Sequence, residues 1–392
     1  MNVKDECSDL LAPWTYQSQE FFNLEVEHLF KVNWLLVGHI SDISEPGDYL
    51  TFDAFDEQIV VIRDQSNGIN AFHNVCRHRG GRIAAGKSGH CPRAMICPFH
   101  GWSYSLEGKL KGVPALATFE NFDKKSIALK SVELEVWMGF IFVRLQSGGP
   151  ALRAQLAPIA HEVKPYLPEQ LQPLYESTEE HKPFNWKTIH DIDNEGYHVP
   201  VGHPSLYQLY GHDYLDTEES GFLVSRGTVS DRPAKAWSVR HYQHLLPEFD
   251  HLPADRQKLW FYFQLFPNLI FGFYPDMMEI YMTLPESPDS TRYLSRTYAL
   301  PDKRREVRAA RYLNVRINNE TAKEDDDFVG QLQQAMRSSA WSPPRLSSLE
   351  EGVRLYHHRI QSQLPVARLL HAPPEQELAA INESMQRAGP TA

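Results

Sequence analysis

Cysteine is scarce in this chain, at four among 392 residues, and long apolar segments are absent. No apolar run reaches the roughly 18 residues that a membrane-spanning helix needs, so we expect no membrane span. Residues 1–30 contain several charged side chains and no apolar core, which is unlike a signal peptide and favours a cytoplasmic location. No Gly-x-Gly-x-x-Gly sequence follows a predicted strand, so we expect another protein to bind any nicotinamide or flavin.

The charge balance is acidic, with a formal net charge of −11 at pH 7. This charge argues against nucleic acid as a partner and weakly favours a basic docking partner or a cationic substrate. The hydrophobic content of 42% and the charged content of 23% are typical of an ordinary globular protein. A chain of 392 residues is long enough for two domains, each with its own core.

The most specific motifs are two short segments that each contain one cysteine and one histidine. Cys76 and His78 lie in the segment CRHRGG, and Cys97 and His100 lie in the segment CPFHGW. Two cysteines and two histidines are the ligands of a Rieske [2Fe–2S] cluster, in which the cysteines hold one iron and the histidines hold the other. Because such a cluster transfers single electrons, the sequence predicts a redox-active protein.

A structural zinc site is the alternative for these residues, because zinc also accepts two cysteines and two histidines. Such zinc sites usually pair cysteine with cysteine and histidine with histidine along the sequence, whereas each segment here contributes one of each. Gly80, Gly81 and Gly101 would let the backbone approach a cluster closely. The remaining cysteines, Cys7 and Cys91, are expected to be free thiols in a reducing compartment.

The chain is predicted to be α+β, with a domain boundary near residue 150. Residues 34–148 are expected to form an all-β domain with both Cys–His segments at hairpin tips, and residues 149–392 a second domain around an antiparallel sheet. Residues 1–33 include a predicted helix at 19–30 that packs on the second domain. The predicted strands cover residues 34–40, 57–64, 69–75, 93–99, 101–106, 136–145, 259–275, 278–286 and 291–300, and the predicted later helices cover 302–319, 324–338 and 347–362.

A second metal site is predicted around two histidines in the second domain. His198 and His203 lie close together in sequence, and Glu195 precedes His198 by three residues, which we interpret as one helical turn. Pro200 and Gly202 are expected to stop that helix, so that His203 folds back beside His198. Two histidines and one carboxylate suit non-haem Fe(II) that reacts with O2. The alternative is a pair of surface histidines beside a helix end.

The third ligand is predicted within the acidic segment 324–327. On a helix, Asp325 shares a face with the apolar residues at 328, 329, 332 and 336, whereas Asp326 and Asp327 align with polar residues. A carboxylate on an apolar face is costly to bury unless it is paired or binds a metal, so we select Asp325. The alternative explanation is an acidic helix N-terminus that the helix dipole stabilises.

In combination, these segments resemble the α-type terminal subunits of Rieske non-haem iron oxygenases over nearly the whole chain. The resemblance implies a Rieske β domain, a helix-grip catalytic domain with mononuclear Fe(II), and O2 as co-substrate. It rests on both Cys–His segments, Asn185-Trp-Lys187, Glu195-x-Tyr197-His198-x4-His203, and Glu324-Asp325 with Leu332-Gln333 downstream.

The resemblance also implies partners. Family members usually form trimers in which the cluster of one subunit faces the iron of its neighbour. Glu195 would then be the carboxylate that bridges the two centres, with His100 or His78 as its partner across the interface. Electrons would come from NAD(P)H only through a separate flavin or iron–sulfur reductase, or a ferredoxin.

The motif spacing is most similar to that of choline, glycine-betaine and carnitine monooxygenases and related betaine demethylases. They carry Glu at the bridging position and a similar run to His198-Val-Pro-Val-Gly-His203-Pro204. This similarity implies that the substrate is a small quaternary ammonium compound. Its hydroxylation would lead to oxidative N-demethylation or C–N cleavage. One departure is Asp191-Ile192, where the family commonly has Glu-Asn, which puts the surroundings of the iron ligands in question.

A quaternary ammonium group has no N–H to donate a hydrogen bond, so it would need an aromatic cage whose ring faces attract the cation. The same rings could instead line a pocket for an aromatic ring or an aryl ether, which is the alternative substrate class. A Rieske electron carrier without mononuclear iron is a more distant alternative. The candidate rings are Tyr207, Tyr210, Tyr214, Trp260, Phe261, Tyr262, Phe271, Phe273, Tyr274 and Tyr281.

Overall fold

The computed structural model of the protein describes residues 8–388, so Cys7 and the start of the predicted N-terminal segment lie outside the described residues. Within the described part of the chain, no helix has both the length and the apolar character needed to cross a membrane.

The chain divides into two compact units. The small unit consists of Lys31–Ala157 and Pro168–Gln172. The large unit consists of the chain up to Phe30, Pro158–Leu167, and the chain from Pro173 onward. The N-terminal segment is therefore part of the large unit.

Short antiparallel strands build the small unit. They form three sheets, with the strand orders β1-β10-β9, β4-β3-β2-β5 and β6-β7-β8. The strands are β1 (Leu35–His39), β2 (Asp48–Ala54), β3 (Glu57–Arg63), β4 (Ile69–His73), β5 (Ser88–His90), β6 (Met95–Ile96), β7 (Ser103–Tyr104), β8 (Leu110–Gly112), β9 (Glu133–Trp137) and β10 (Phe140–Arg144).

The two Cys–His segments occupy different positions in these sheets. The segment 97–102 joins β6 to β7, which pair with each other, so it lies at a hairpin tip as predicted. The segment 76–81 lies between β4 and β5, at opposite edges of a sheet, so the second predicted hairpin tip is wrong. The single strand predicted at 136–145 is also wrong, because Met138 and Gly139 adopt φ values of 47° and 86° and form a tight turn between β9 and β10.

The described helices belong mainly to the large unit, where the predicted helix at 19–30 is present as α1 continued by a π-helix, Val26–Phe30. In chain order the α-helices are α1 (Gln19–Glu25), α2 (Leu152–Leu156), α3 (Ala160–Val163), α4 (Trp186–Asp193), α5 (Val199–Gly202), α6 (Pro204–Tyr210), α7 (Trp237–Leu245), α8 (Arg305–Ala335), α9 (Glu351–Gln363) and α10 (Leu378–Ala388).

An eight-stranded antiparallel sheet forms the centre of the large unit, with the order β11-β18-β17-β16-β15-β14-β13 and β12 also paired with β18. The single strand predicted at 259–275 is two strands, because Pro267 has no N–H to donate to a ladder and the chain reverses there. The strands are β11 (Gln172–Pro173), β12 (Thr178–Lys182), β13 (Tyr214–Glu219), β14 (Phe222–Thr228), β15 (Leu259–Leu265), β16 (Leu269–Phe273), β17 (Met278–Ser287) and β18 (Ser290–Ala299).

One helix of 31 residues, α8, replaces the two helices predicted at 302–319 and 324–338. No glycine or proline lies between those two segments, so nothing interrupts the helical hydrogen bonds. The acidic segment 324–327 lies well inside α8, so its interpretation as a helix N-terminus is wrong. The predicted apolar face is only partly buried, because Val329 is buried whereas Leu332 is 45% exposed.

The Asn-Trp-Lys sequence begins α4 and attaches it to the N-terminal segment. The Asn185 side chain caps the helix by accepting a hydrogen bond from the Lys187 N–H at 3.0 Å. Trp186 Nε1 and Lys187 Nζ both donate to Glu25, at 3.1 and 2.5 Å. Lys187 is 0% and Glu25 1% exposed, so a charged pair lies fully inside the large unit.

Candidate active site

The two Cys–His segments fold into matching turns. The Cys76 N–H donates to the Gly81 carbonyl at 2.9 Å, and the Gly80 N–H donates back to the Cys76 carbonyl at 2.9 Å. The segment 97–102 repeats both bonds, at 2.8 and 3.0 Å. Gly80 and Gly101 occupy equivalent positions with φ of 76° and 73°, which a residue with a Cβ adopts only with strain. The two turns thus share one backbone form, although His78 follows its cysteine by two residues and His100 follows its cysteine by three.

The side chains of these turns fit a Rieske cluster. Cys76 and Cys97 are buried within one apolar cluster of the small unit. The His78 and His100 rings lie 4.6 Å apart between centroids, and His78 also stacks on Trp102 at 4.9 Å. The His78 Nδ1 atom is buried and makes no hydrogen bond, which is costly unless it binds a metal. Cys91 forms no disulfide with another described cysteine.

Tyr104 provides a polar contact to one of the two thiols. Its hydroxyl lies 3.2 Å from Cys76 Sγ and accepts a hydrogen bond from the Arg77 N–H at 3.0 Å. Because that oxygen already accepts from Arg77, its own proton is available to donate to the sulfur. Hydrogen bonds to cluster sulfurs stabilise the reduced, more negative state and raise the reduction potential.

We therefore expect Tyr104→Phe to lower the reduction potential of the cluster while leaving the cluster bound. A redox titration followed by EPR measures this shift. Tyr49→Phe is the matched control, since the Tyr49 hydroxyl lies in the same unit but donates its hydrogen bond to the Ala85 carbonyl, at 2.8 Å, and not to Cys76 or Cys97. Equal potentials for the Tyr104 variant and the unmodified protein would contradict the assigned hydrogen bond.

The predicted mononuclear metal residues converge in the large unit. His198 and His203 Nε2 lie 3.0 Å apart, and Asp325 Oδ1 lies 3.6 and 2.9 Å from them, respectively. All three ligand atoms lie within 4.8 Å of one another. His198 immediately precedes α5, His203 separates α5 from α6, and Asp325 projects from α8.

Two glutamates hold the outer nitrogens of these imidazoles. Glu195 Oε1 lies 2.5 Å from His198 Nδ1, and Glu324 Oε2 lies 2.8 Å from His203 Nδ1. Such contacts fix ring orientation and aim the Nε2 atoms at a shared point, as in metal sites. Burial lowers the pKa of His198, but hydrogen bonds to Asp325 and Glu195 outweigh it and raise the pKa to about 10. A metal binding here must therefore displace protons.

The local backbone differs from the predicted helix. Helix α4 ends at Asp193, so Glu195 lies in the segment between α4 and α5 and not on a helix. Its other oxygen, Oε2, accepts the His198 backbone N–H at 3.1 Å, which brings Glu195 to the same imidazole despite the missing helical turn. Among the neighbours of Asp325, Asp326 pairs with Lys182 at 2.6 Å and Asp327 is exposed. The geometry therefore favours Asp325 over both as the third ligand.

A cavity of about 860 Å³ lies beside these residues in the large unit, and His198, His203 and Asp325 form part of its wall. Five of the candidate cage residues also line this cavity, namely Tyr210, Tyr214, Tyr262, Tyr274 and Tyr281. Tyr293 lines it as well and was not predicted from the sequence. Phe261 and Phe273 instead pair across β15 and β16, and Phe273 packs on Tyr166 at 5.0 Å between ring centroids. Side chains alternate along a strand, so Tyr262 and Phe261 point to opposite faces.

Comparison with known families covers both units. Residues 33–129 match the Rieske [2Fe-2S] domain, and residues 171–365 match the ring hydroxylating alpha subunit (catalytic domain). The chain belongs to the Rieske oxygenase family. These two domains imply a Rieske [2Fe–2S] cluster and a mononuclear iron, and the residues described above fit both groups.

This Rieske oxygenase is similar to the oxygenase subunits of glycine betaine and carnitine monooxygenases. It is 32% identical over 206 residues to the glycine betaine monooxygenase oxygenase subunit of Pseudomonas aeruginosa (strain UCBPP-PA14), covering 53% of this chain and 47% of that protein. It is 31% identical over 210 residues to the carnitine monooxygenase oxygenase subunit of Acinetobacter baumannii (strain ATCC 19606), covering 52% and 56%. The chain thus spans about half the length of the curated relatives it matches.

A solved structure shows the same fold. The quaternary ammonium Rieske monooxygenase CntA in complex with L-carnitine superposes with a TM-score of 0.75, at 22% identity, covering 92% of this chain and 97% of CntA. The predicted α+β class, with a Rieske domain and a catalytic domain built on an antiparallel sheet, is confirmed.

The departure at Asp191-Ile192 is accommodated within this Rieske oxygenase. Asp191 accepts a hydrogen bond from the Tyr16 hydroxyl at 2.7 Å and lies 2.8 Å from His357 Nε2. Ile192 lines the cavity and packs in a small apolar cluster with Val329. An apolar side chain therefore occupies a wall position where the family commonly has an amide, and no polar group at 192 contacts the site.

The predicted bridging role of Glu195 can be separated from simple imidazole orientation. We expect Glu195→Gln to lower turnover by roughly 10- to 100-fold, as loss of an outer partner of a metal ligand typically does. If Glu195 also couples the two centres, substrate-dependent oxidation of the reduced cluster should slow more than iron content falls. Stopped-flow absorbance and iron analysis measure the two effects.

Glu324→Gln is the comparison for Glu195→Gln, since Glu324 holds the other imidazole in the same way. It should reduce iron content without a separate effect on cluster oxidation. Identical behaviour of the two variants would show that Glu195 only orients His198.

Proposed function

We propose that this Rieske oxygenase uses O2 and two electrons to hydroxylate a C–H bond of a small quaternary ammonium compound. One oxygen atom enters the substrate, and the other leaves as water with two protons. The observation that carries the proposal is the convergence of His198, His203 and Asp325 in the wall of a cavity lined by tyrosines and carboxylates.

The protein residues of the large unit would bind and orient the iron. His198, His203 and Asp325 would hold Fe(II) on one side, and the bound iron would supply the activation of O2. Glu195 and Glu324 would keep both imidazole rings in the orientation that presents Nε2 to the metal. In the small unit, Cys76, His78, Cys97 and His100 would hold the [2Fe–2S] cluster that receives electrons one at a time.

We infer that a separate reductase supplies the electrons. The sequence contains no Gly-x-Gly-x-x-Gly motif after a strand, so NAD(P)H would be oxidised by a flavin and iron–sulfur protein, or electrons would arrive from a ferredoxin. Reduction of the chain would then be slow with NAD(P)H alone and fast with such a partner.

A homotrimer is proposed as the working assembly, with Glu195 facing His100 or His78 of the neighbouring subunit. The homotrimer is supported by apolar side chains that a monomer would expose to water. In the small unit, Ile96 precedes the second Cys–His turn and Phe99 lies within it, and each is 58% exposed. In the large unit, Tyr197 and Val201 adjoin His198 and are 57% and 86% exposed. Exposed apolar patches at both centres are typical of surfaces that pair with another protein.

Hydroxylation of an N-methyl group would lead to loss of that carbon. The carbinolamine formed on substrate collapses by C–N cleavage to formaldehyde and the demethylated amine, so no further oxidant is needed. The glycine betaine and carnitine monooxygenase relatives support this substrate class. An aromatic hydrocarbon suits the cavity less well, because buried carboxylates such as Asp193 and Glu279 line it and an apolar ring offers them neither a charge nor a hydrogen bond.

A single-turnover reaction tests the proposal without the reductase. The protein is reduced anaerobically and freed of reductant. It is then mixed with O2 and either a quaternary ammonium compound or an aromatic acid, and the products are identified by mass spectrometry. We expect formaldehyde and a demethylated amine, at up to about one equivalent per chain. Hydroxylated aromatic product would support the alternative class, and cluster oxidation without any product would support an electron carrier.

A further inference from the structure

The charges on the cavity wall are unequal. Among the described residues that line it, nine are acidic and two are lysines. Lys182 is already paired with Glu180 at 2.8 Å and with Asp326 at 2.6 Å. The remaining lysine, Lys323, is exposed. An anionic group of a substrate would therefore find one solvated cation in the wall, Lys323. A cationic group would find many carboxylates.

Three of these carboxylates are desolvated without a cationic side chain beside them. Asp193 Oδ2 and Asp216 Oδ1 are buried and make no hydrogen bond. The nearest basic group to Asp193 is His190 Nδ1 at 3.9 Å, and burial lowers the pKa of that histidine to about 3. Burial also raises the pKa of Glu279, to about 6, which leaves it mostly ionised at neutral pH. The hydrogen-bond partners of these carboxylates are uncharged, among them Tyr281 for Asp193 and Ser225 for Asp216, so a bound cation would be stabilised here.

Glu279 has the most complete surroundings of the three. It lies opposite Gly272 in the register of β16 and β17, and Gly272 lies opposite Tyr262 in β15. A Cβ at position 272 would lie 2.8 Å from the Tyr274 hydroxyl and 3.1 Å from the Tyr262 ring, so the absence of a side chain there lets both tyrosines pack over the strand beside Glu279. The Tyr262 and Tyr274 rings stand at 77° with centroids 5.6 Å apart. Two perpendicular rings beside a carboxylate are the parts of a cation cage.

The contacts of Glu279 hold its carboxylate beside these two rings without neutralising it. Ser295 Oγ donates to Glu279 Oε1 at 3.1 Å, and the Tyr274 hydroxyl is 3.5 Å from Oε2. Both partners are uncharged. The carboxylate is thus oriented by hydrogen bonds while its charge stays available to a ligand.

From these observations we propose that the substrate is an organic cation without a carboxylate group, and that Glu279 is its counter-ion in a cage with Tyr262 and Tyr274. The inference rests on the proposed oxygenase function and narrows it. A zwitterion such as a betaine would bring its own carboxylate into a wall that already has an excess of negative charge, where like charges repel. A cation lacking that group would gain the charge pairing and ring contacts without this penalty.

Isothermal titration calorimetry on the anaerobic, iron-loaded protein tests charge selectivity with three probes of similar shape. Choline is the cation, 3,3-dimethylbutan-1-ol is its neutral isostere, and glycine betaine is the zwitterion. We expect choline to bind about tenfold or more tightly than either of the others. Glycine betaine binding as tightly as choline, or no binding of choline, would overturn the inference.

A charge-removing variant locates the preference. Glu279→Gln should lose about tenfold in choline affinity and leave the affinity for 3,3-dimethylbutan-1-ol within about threefold. Glu218→Gln is the matched control, because Glu218 lines the same cavity but is exposed, and its choline affinity should be nearly unchanged. An equal loss in both variants would assign the preference to the overall field of the cavity and contradict the role of Glu279.

The probes also keep this inference separate from the proposed oxygenase function. If choline binds selectively but no quaternary ammonium compound yields product in the single-turnover reaction, the oxygenase proposal fails while the cation site stands. If an amine is demethylated but a zwitterion is preferred, the oxygenase proposal stands and the cation inference fails. The comparison of probes on the unmodified protein remains decisive even if Glu279→Gln does not fold.

Discussion

Asp325→Ala is expected to lower single-turnover product formation by more than about 100-fold, beyond the roughly 10- to 100-fold that loss of an outer partner costs. The variant removes the carboxylate that lies 2.9 and 3.6 Å from the two histidine nitrogens, and no other described carboxylate occupies that place. Two imidazoles alone would hold iron weakly. Iron analysis should therefore show loss of the mononuclear iron, while the cluster in the small unit keeps its EPR signal.

Asp327→Ala is the control for this prediction, because Asp327 lies two positions further along the same helix and is exposed. The substitution removes the same charge as Asp325→Ala. It should retain both iron and activity. If Asp325→Ala kept the mononuclear iron, or if Asp327→Ala lost it, the ligand set drawn from the geometry would be wrong.

Lys187→Met is expected to destabilise the large unit by about 3–5 kcal/mol, which is typical when one partner of a buried ion pair is removed. Lys187 and Glu25 are both almost fully buried, with 2.5 Å between Nζ and Oε1, and the variant would leave Glu25 as an unpaired buried charge. Burial raises the pKa of Glu25 and lowers the pKa of Lys187, so each depends on the other to stay charged. Urea denaturation followed by tryptophan fluorescence measures the loss.

The double variant Glu25→Leu/Lys187→Met separates charge pairing from packing. Replacing both members of a buried pair by apolar groups is often neutral or stabilising, so much of the loss should be recovered. A double variant as unstable as Lys187→Met would instead point to the ring contacts of Lys187 with Tyr16 and Trp186, at 5.0 and 5.3 Å from Nζ to the ring centroids.

Features encoded within a few residues were predictable from the sequence. Each Cys–His turn is closed by hydrogen bonds across five residues, so Cys76 and His78 carry their arrangement locally, as do Cys97 and His100. The Rieske domain predicted from them is confirmed by the family match. Their roles as cluster ligands, and those of the iron-binding residues, stay predictions, and Asp325→Ala tests one of the iron ligands.

Features that depend on distant chain segments were harder to predict. Glu324 contacts His203 across 121 residues of sequence, and the sequence shows only an acidic segment in which it is one of four. A helical-face argument reached Asp325, although Leu332 on the same supposed face is half-exposed. Glu279 carries no motif at all, because its significance comes from strand register and from the side chain that Gly272 lacks.

Boundaries were wrong where a tight turn interrupts an apolar run. Met138-Gly139 divides one predicted strand, and Pro267 lies in the turn that divides another, yet both runs read as continuous by hydrophobicity. Conversely, α8 continues through residues 320–323, which separated two predicted helices, because the helix-favouring residues there maintain the backbone hydrogen bonds.

The most direct test of the central claim is metal and acid-labile sulfide analysis of the anaerobically purified chain, combined with EPR after dithionite reduction. Two centres predict about three irons and about two sulfides per chain, with a Rieske-type signal from the reduced cluster. Zinc in place of iron, with no sulfide, would contradict both assigned centres. About two irons that do not increase when Fe(II) is added would leave the cluster in place and remove the oxygenase site.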